Sequence, residues 1–167
     1  MAYNTIKIKK YSDVVNEWEA NVALTPGMLV ELMSTNKVKK HATSGGNVYP
    51  LIVLEDELQG NDINDDYAAG DKVQVWTPTR GDEAYLLLAD EETIVIGDFL
   101  ESNGQGKVKK HTAETWASAD AQTANTVYST PIVGVALEAK DLGTLPEGSD
   151  SSAGGAYYNP RIRVMVV

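Results

Sequence analysis

The feature that most constrains this chain is that it repeats itself. Residues 27–41 read GMLVELMSTNKVKKH and residues 97–111 read GDFLESNGQGKVKKH. At a constant offset of 70 residues they share Gly27/Gly97, Glu31/Glu101 and the whole pentapeptide Lys-Val-Lys-Lys-His, at 37–41 and 107–111. Leu29/Phe99 and Val30/Leu100 are apolar in both copies. A segment used twice is a supersecondary unit used twice, so the two copies are expected to share a fold. The pattern within it is a hairpin. A strand holding Leu29 and Val30 meets a turn at Ser34-Thr35-Asn36, matched by Asn103-Gly104-Gln105-Gly106. The return strand is the alternating Lys-Val-Lys, with Val inward and Lys in solvent.

The likeness continues past an insertion. Pro50-Leu51-Ile52-Val53-Leu54-Glu55 lines up with Pro131-Ile132-Val133-Gly134-Val135-Ala136-Leu137-Glu138 at an offset of 81, which places extra residues of the second copy within 112–130. Lys72-Val73-Gln74-Val75 corresponds in turn to Arg161-Ile162-Arg163-Val164.

Strand signals dominate the remainder. Thr5-Ile6-Lys7-Ile8-Lys9 alternates apolar and polar residues, while Ala84-Tyr85-Leu86-Leu87-Leu88-Ala89 and Thr93-Ile94-Val95-Ile96 are apolar runs suited to buried strands. Pro26-Gly27, Gly45-Gly46-Asn47, Gly70-Asp71, Gly81-Asp82 and Asn103-Gly104 punctuate them with turns. The expected fold is all-β: a small barrel or sandwich of two pseudo-repeated hairpin units, about 23–80 and 93–167, forming a β domain over 23–167. Residues 1–22 are expected to be an N-terminal arm or extra strand. One or two helical turns are expected at 12–18, with Ser12 as N-cap. A loop or short helix is expected at 113–124, and a long loop at 143–155.

Composition narrows the function. With 24 acidic residues against 14 basic ones the net charge is −10, the wrong sign for a protein that neutralises phosphates, so nucleic acid is not the expected partner. The absence of cysteine excludes disulfides, thiolate nucleophiles and Cys-based zinc sites. The first 15 residues lack the apolar core of a signal peptide, and the longest apolar runs fall far short of the roughly 20 residues of a membrane helix. The chain is therefore expected to be soluble, with no membrane partner.

No motif carries chemistry. The two histidines, His41 and His111, fall at equivalent repeat positions, and neither a further His nor a Cys stands by to complete a ligand set. They are expected at strand ends rather than in a metal or pH site. The acidic run Asp62-Ile63-Asn64-Asp65-Asp66 has Tyr67 and Val73 where a calcium-binding EF-hand loop needs Gly and Glu. Neither histidine lies in a Ser or Asp signature, and Gly45-Gly46 and Gly154-Gly155 match no phosphate-binding loop. The chain is expected to have no cofactor and not to be an enzyme. Trp18 and Trp116 are candidate contact anchors, and Trp76 a candidate core residue.

The second half resembles a known family. Gly97-Asp98-Phe99-Leu100-Glu101, then Gly106-Lys107-Val108-Lys109-Lys110, then Pro131-Ile132-Val133-Gly134-Val135-Ala136-Leu137-Glu138 and Arg161-Ile162-Arg163-Val164 is similar to the capsid decoration (cement) proteins of tailed bacteriophages. The first half resembles them more loosely, with no Gly at the centre of Leu51-Ile52-Val53-Leu54. The resemblance implies a non-catalytic virion protein made in the host cytoplasm. It would bind the capsid exterior, join neighbouring major capsid protein subunits, and stand there as a homotrimer. Thr5, Ile6, Lys7, Ile8 and Lys9, with Trp18, are the candidate contacts. The strand would add to a capsid or neighbouring decoration subunit, or else complete the chain's own barrel. The alternative within the virion is a head-fibre base or tail component. A carbohydrate-binding or hydrolytic β domain and a small nucleic-acid-binding barrel are the remaining classes, the latter disfavoured by charge.

Overall fold

The computed structural model describes residues 4–9, 14–112, 131–143 and 160–167. Thirteen strands run through the described residues. The first six are β1 (Lys7–Lys9), β2 (Val15–Ala20), β3 (Leu29–Leu32), β4 (Lys37–Lys40), β5 (Leu51–Val53) and β6 (Lys72–Trp76). The rest are β7 (Glu83–Leu87), β8 (Thr93–Ile94), β9 (Phe99–Ser102), β10 (Val108–Lys110), β11 (Ile132–Ala136), β12 (Lys140–Asp141) and β13 (Arg161–Val166). The fold is all-β, and its one helical element among the described residues is a 3-10 turn, Glu57–Gln59.

Strands β2-β4-β3-β5-β6 close into a barrel, in which β2 and β4 are the parallel pair. The second half repeats this ring. Its strands run β7-β13-β11-β9-β10, and an isolated parallel bridge between Leu88 and Val108 brings β10 back to the end of β7. The registers agree position by position. Val30 faces Lys40 and Leu51 as Leu100 faces Lys110 and Gly134. Val75 faces Asn16 and Val53 as Val164 faces Ala84 and Ala136. At the parallel closure the Asn21 N–H donates to Val38 O at 2.8 Å, and the Ala89 N–H to Val108 O at 2.8 Å. The molecule is thus one five-stranded ring made twice, joined by a short linker at 77–82 and extended on β7 by β1.

Period-two alternation decides which side chains fill which space. Val30, Val38, Leu51, Val53, Val73 and Val75 point into the first barrel with Ala20, Leu24 and Tyr67. Their neighbours Leu29, Ile52, Leu54 and Trp76 point outward and are also buried, in a second cluster with Ile6, Leu86, Leu88, Leu100, Val108, Ile162 and Val164. The outer face of barrel one is therefore packed into the core of the second half. Burying a large apolar side chain contributes about 1.5–3 kcal/mol. The contact between the halves is accordingly part of the fold rather than a loose hinge.

Several expectations need correction. Val15–Ala20 is a strand, not helical turns, because it completes the first ring between β4 and β6; residues 11–13 lie outside the described set. The arm expected over 1–22 consequently reduces to β1 and the residues before β2. The second unit begins at β7, not near residue 93. The Leu51 strand matches Gly134 at an offset of 83 rather than 81, and a one-residue bulge in β11 between Ile132 and Gly134 contributes to the difference. Of Thr93-Ile94-Val95-Ile96 only Ile94 is buried, while Val95 and Ile96 are exposed. The expected features at 113–124 and at 144–155, with Trp116, lie outside the described residues.

Candidate functional site

The repeated pentapeptide is a structural device. Antiparallel register sets Glu31 opposite Lys39 and Glu101 opposite Lys109, and the side chains close ion pairs of 2.9 and 3.2 Å. The histidine that ends each copy sits beside the same glutamate. His41 Nε2 is 3.8 Å from Glu31, and His111 Nδ1 is 2.5 Å from Glu101. Burial would raise the Glu31 carboxyl, but Lys39 and the Ala42 N–H outweigh it and hold the group below its ordinary value.

The two copies then part. His41 is buried at 4 % exposure, its Nε2 3.1 Å from Asn47 O and its Nδ1 2.8 Å from the Ser102 hydroxyl of the other half. With Nε2 donating to the carbonyl, Nδ1 accepts from Ser102, whose oxygen in turn accepts from the Gly104 N–H at 3.1 Å. His111 is only half-buried. Both histidines follow directly on their strands, as expected, and each is held by hydrogen bonds rather than aimed at a ligand.

The N-terminal strand pairs antiparallel with the chain's own β7, Lys7 opposite Ala84 and Lys9 opposite Glu83. It extends the six-stranded sheet at its edge and completes neither ring, contrary to the expectation that it would close the chain's own barrel. Ile6 is fully buried. The Thr5 hydroxyl donates to the Glu55 carboxylate at 2.5 Å, and the Ile6 N–H donates to the same group at 3.2 Å. Ile8 packs partly buried against the shared core. Trp18 is half-buried against the interior cluster of barrel one, and Trp76 is fully buried as expected.

Arg161 pins the halves together in a way no sequence signal announced. Its guanidinium is buried at 4 % exposure and donates to Pro26 O at 3.1 Å, to Ile63 O, and to the Asn64 side chain at 3.1 Å. Burial lowers its pKa, opposed by Tyr85, Asp62 and Glu55.

Among the described residues, two surface depressions differ in character. Asp56, Gln59, Asn61, Asp66, Tyr67, Asp71 and Lys72 line a polar hollow of about 370 Å³. In the adjacent loop the Asp62 and Asp65 carboxylates accept backbone N–H groups at 2.7 Å, which shapes the turn. Among the described residues no three His, Cys, Asp or Glu side chains are grouped to hold a metal ion. A wider cleft of about 700 Å³ is lined by Val48, Tyr49, Pro50, Pro131, Ile132 and Val167, and is largely apolar. Among the described residues no helix is long and apolar enough to cross a membrane.

Among the described residues of the second half, Val95, Ile96 and Phe99 are large apolar side chains left at 54, 69 and 51 % exposure. Sequence reasoning treated the first two as buried. The repeat gives no hint of their exposure, since Thr25, Pro26 and Leu29, their counterparts at the offset of 70, are all buried.

No family model and no curated protein matches the chain. Among solved structures, the chain is similar to the crystal structure of the head fiber gp8.5 N base in bacteriophage phi29. The TM-score is 0.50 at 12 % sequence identity, over 93 % of this chain and 95 % of that one. At that identity the likeness is one of fold, and it spans both rings from end to end.

Proposed function

We propose that this chain is a structural protein of a bacteriophage virion, bound to the outside of the head and without catalytic activity. The observation that carries this reading is the end-to-end likeness of fold to a phage head-fibre base. It is supported by the fate of the polar motifs. Glu31, Lys39, His41, Glu101, Lys109 and His111 are engaged with one another or with the backbone and leave no constellation for chemistry.

In its finer form, the protein is a decoration protein that binds the mature lattice and bridges major capsid subunits, as a homotrimer. A ligand that binds only the mature lattice stabilises it by linkage. Nucleic acid and membrane have no part in this reading, and synthesis takes place in the host cytoplasm. The surfaces available to a capsid subunit include the β1 edge of the six-stranded sheet, where a strand would add. The head-fibre base is a second reading, favoured by the same likeness.

Mixing the purified protein with undecorated expanded capsids tests both. Saturable binding at a fixed ratio to capsid subunits, with a raised capsid melting temperature, is the result expected of a decoration protein. Binding confined to a few positions per capsid, with no gain in capsid stability, is expected of a fibre base. Failure to bind any capsid surface removes both.

A further inference from the structure

In barrel one, Leu29, Ile52 and Trp76 stand side by side across β3, β5 and β6 and point out of the barrel. All three are fully buried, because the second ring sits on them. The same register in the second ring gives Phe99, Val135 and Met165 across β9, β11 and β13. This duplicate row is apolar too, yet Phe99 is 51 % exposed and Val135 and Met165 are only half-buried, with exposed Val95 and Ile96 beside them. The docking face was duplicated with the fold, and among the described residues only one copy is covered.

The covering surface has also been duplicated. Barrel one is capped by the β9–β10 turn, where Gly106 O accepts the Leu29 N–H at 2.8 Å and the Gly106 N–H donates to His41 O at 3.2 Å. Ser102 binds His41 from the same hairpin. Among the described residues no second hairpin covers the equivalent one of barrel one, β3–β4. Asn36 stands where Gly106 stands and shares its positive φ, +61° against +79°. Leu32 stands where Ser102 stands and is 52 % exposed.

We propose that copies of this protein associate head to tail, the β3–β4 hairpin of one meeting the Phe99 end of the Phe99–Val135–Met165 row of the next, as the β9–β10 turn meets Leu29 within the chain. A second copy is the occupant because it alone offers the hairpin that this face already binds once. Such a contact is heterologous, so it closes into a ring or runs on as a filament. It is weaker than the internal one. On the covering side Glu17 and Glu19 replace Tyr85 and Leu87 at equivalent positions of β2 and β7, so less apolar surface is buried. The inference goes beyond the virion role and is tested without any capsid, so the two stand or fall separately.

The experiment measures mass in solution by sedimentation at up to about 100 μM, a range that detects micromolar association. The wild-type protein is expected to exceed monomer mass. Phe99→Glu blocks the row and Leu32→Glu blocks the hairpin, and each alone is expected to be monomeric. Each variant retains one intact surface, so an equimolar mixture is expected to form a one-to-one heterodimer that goes no further. A monomeric wild type overturns the proposal, and so does a mixture of blocked variants that stays monomeric. An effect of Phe99→Glu without one of Leu32→Glu points to a self-complementary contact and overturns it equally. Melting curves establish that each variant is folded, and Ile96→Glu and Thr35→Arg replace any that is not.

Discussion

At the residue scale, equivalent positions with unequal surroundings make the sharpest tests. Trp76→Ala removes a fully buried ring from between the two halves, and a loss of about 3–5 kcal/mol is expected in urea denaturation. Met165→Ala, at the matching position, is expected to cost well under half of that because its side chain is already half in solvent. Gly134 is held by contact. A Cβ there would stand 2.5 Å from Met165 O and closer still to Val164 Cγ1. Gly134→Ala is therefore expected to destabilise by about 2–3 kcal/mol, read as a fall in melting temperature. Tyr67 gives a pH signature. Burial, with Asp56 nearby, raises its phenol to about 12, and the hydroxyl donates to Leu54 O at 3.0 Å. The unfolded chain releases this proton near pH 10 and the folded one only near 12. Stability thus falls as pH rises between those values, by at most about 2–3 kcal/mol, and is level again above them. Tyr67→Phe is expected to flatten that alkaline limb, measured by urea melts between pH 8 and pH 11.

At the scale of elements, the sequence revealed the hairpins and hid the strands that close the rings. The β3–β4 and β9–β10 units share seven identical positions because they do the same work twice, with Glu opposite Lys and Val facing inward. The correspondence of β6 with β13 was legible from apolar alternation alone. Strands β2 and β7 share the same place in the ring but no recognisable pattern. The outward side of β2 meets solvent through Glu17 and Glu19, whereas Tyr85 and Leu87 of β7 meet barrel one. Periodicity registers burial, and equivalent strands buried on different sides carry different residues. The helical turns expected at 12–18, where 15–18 belong to β2, were misread for that reason. Of the candidate contact residues, alternation along β1 was visible, but that its partner would be β7 of the same chain was not. Pairing between strands more than 70 residues apart leaves no local trace.

At the scale of the whole molecule, the two rings are joined by side chains of both signs as well as by apolar packing. Arg161 reaches Pro26, Ile63 and Asn64 across the junction, so Arg161→Ala strands several carbonyl groups and opens a buried gap. A loss of about 3 kcal/mol is expected, with the halves melting in two steps by calorimetry where the parent protein melts in one. The N-terminal segment is tied in the same way through Glu55 to barrel one and through β7 to the second ring. Removing residues 2–9 is expected to lower the melting temperature of the isolated protein before any effect on capsid occupancy is seen.

The path of β1 also bears on the order in which the chain folds during synthesis. Strands β2 to β6 lie within residues 15–76 and need nothing beyond Trp76 to close their barrel. Residues 5–9 leave the ribosome before any of these, yet their partner β7 follows all of them. Strand β1, made before the barrel, is thus placed only after the barrel's own strands are complete. Its lysines at positions 7 and 9 keep its edge from pairing with a neighbouring nascent chain.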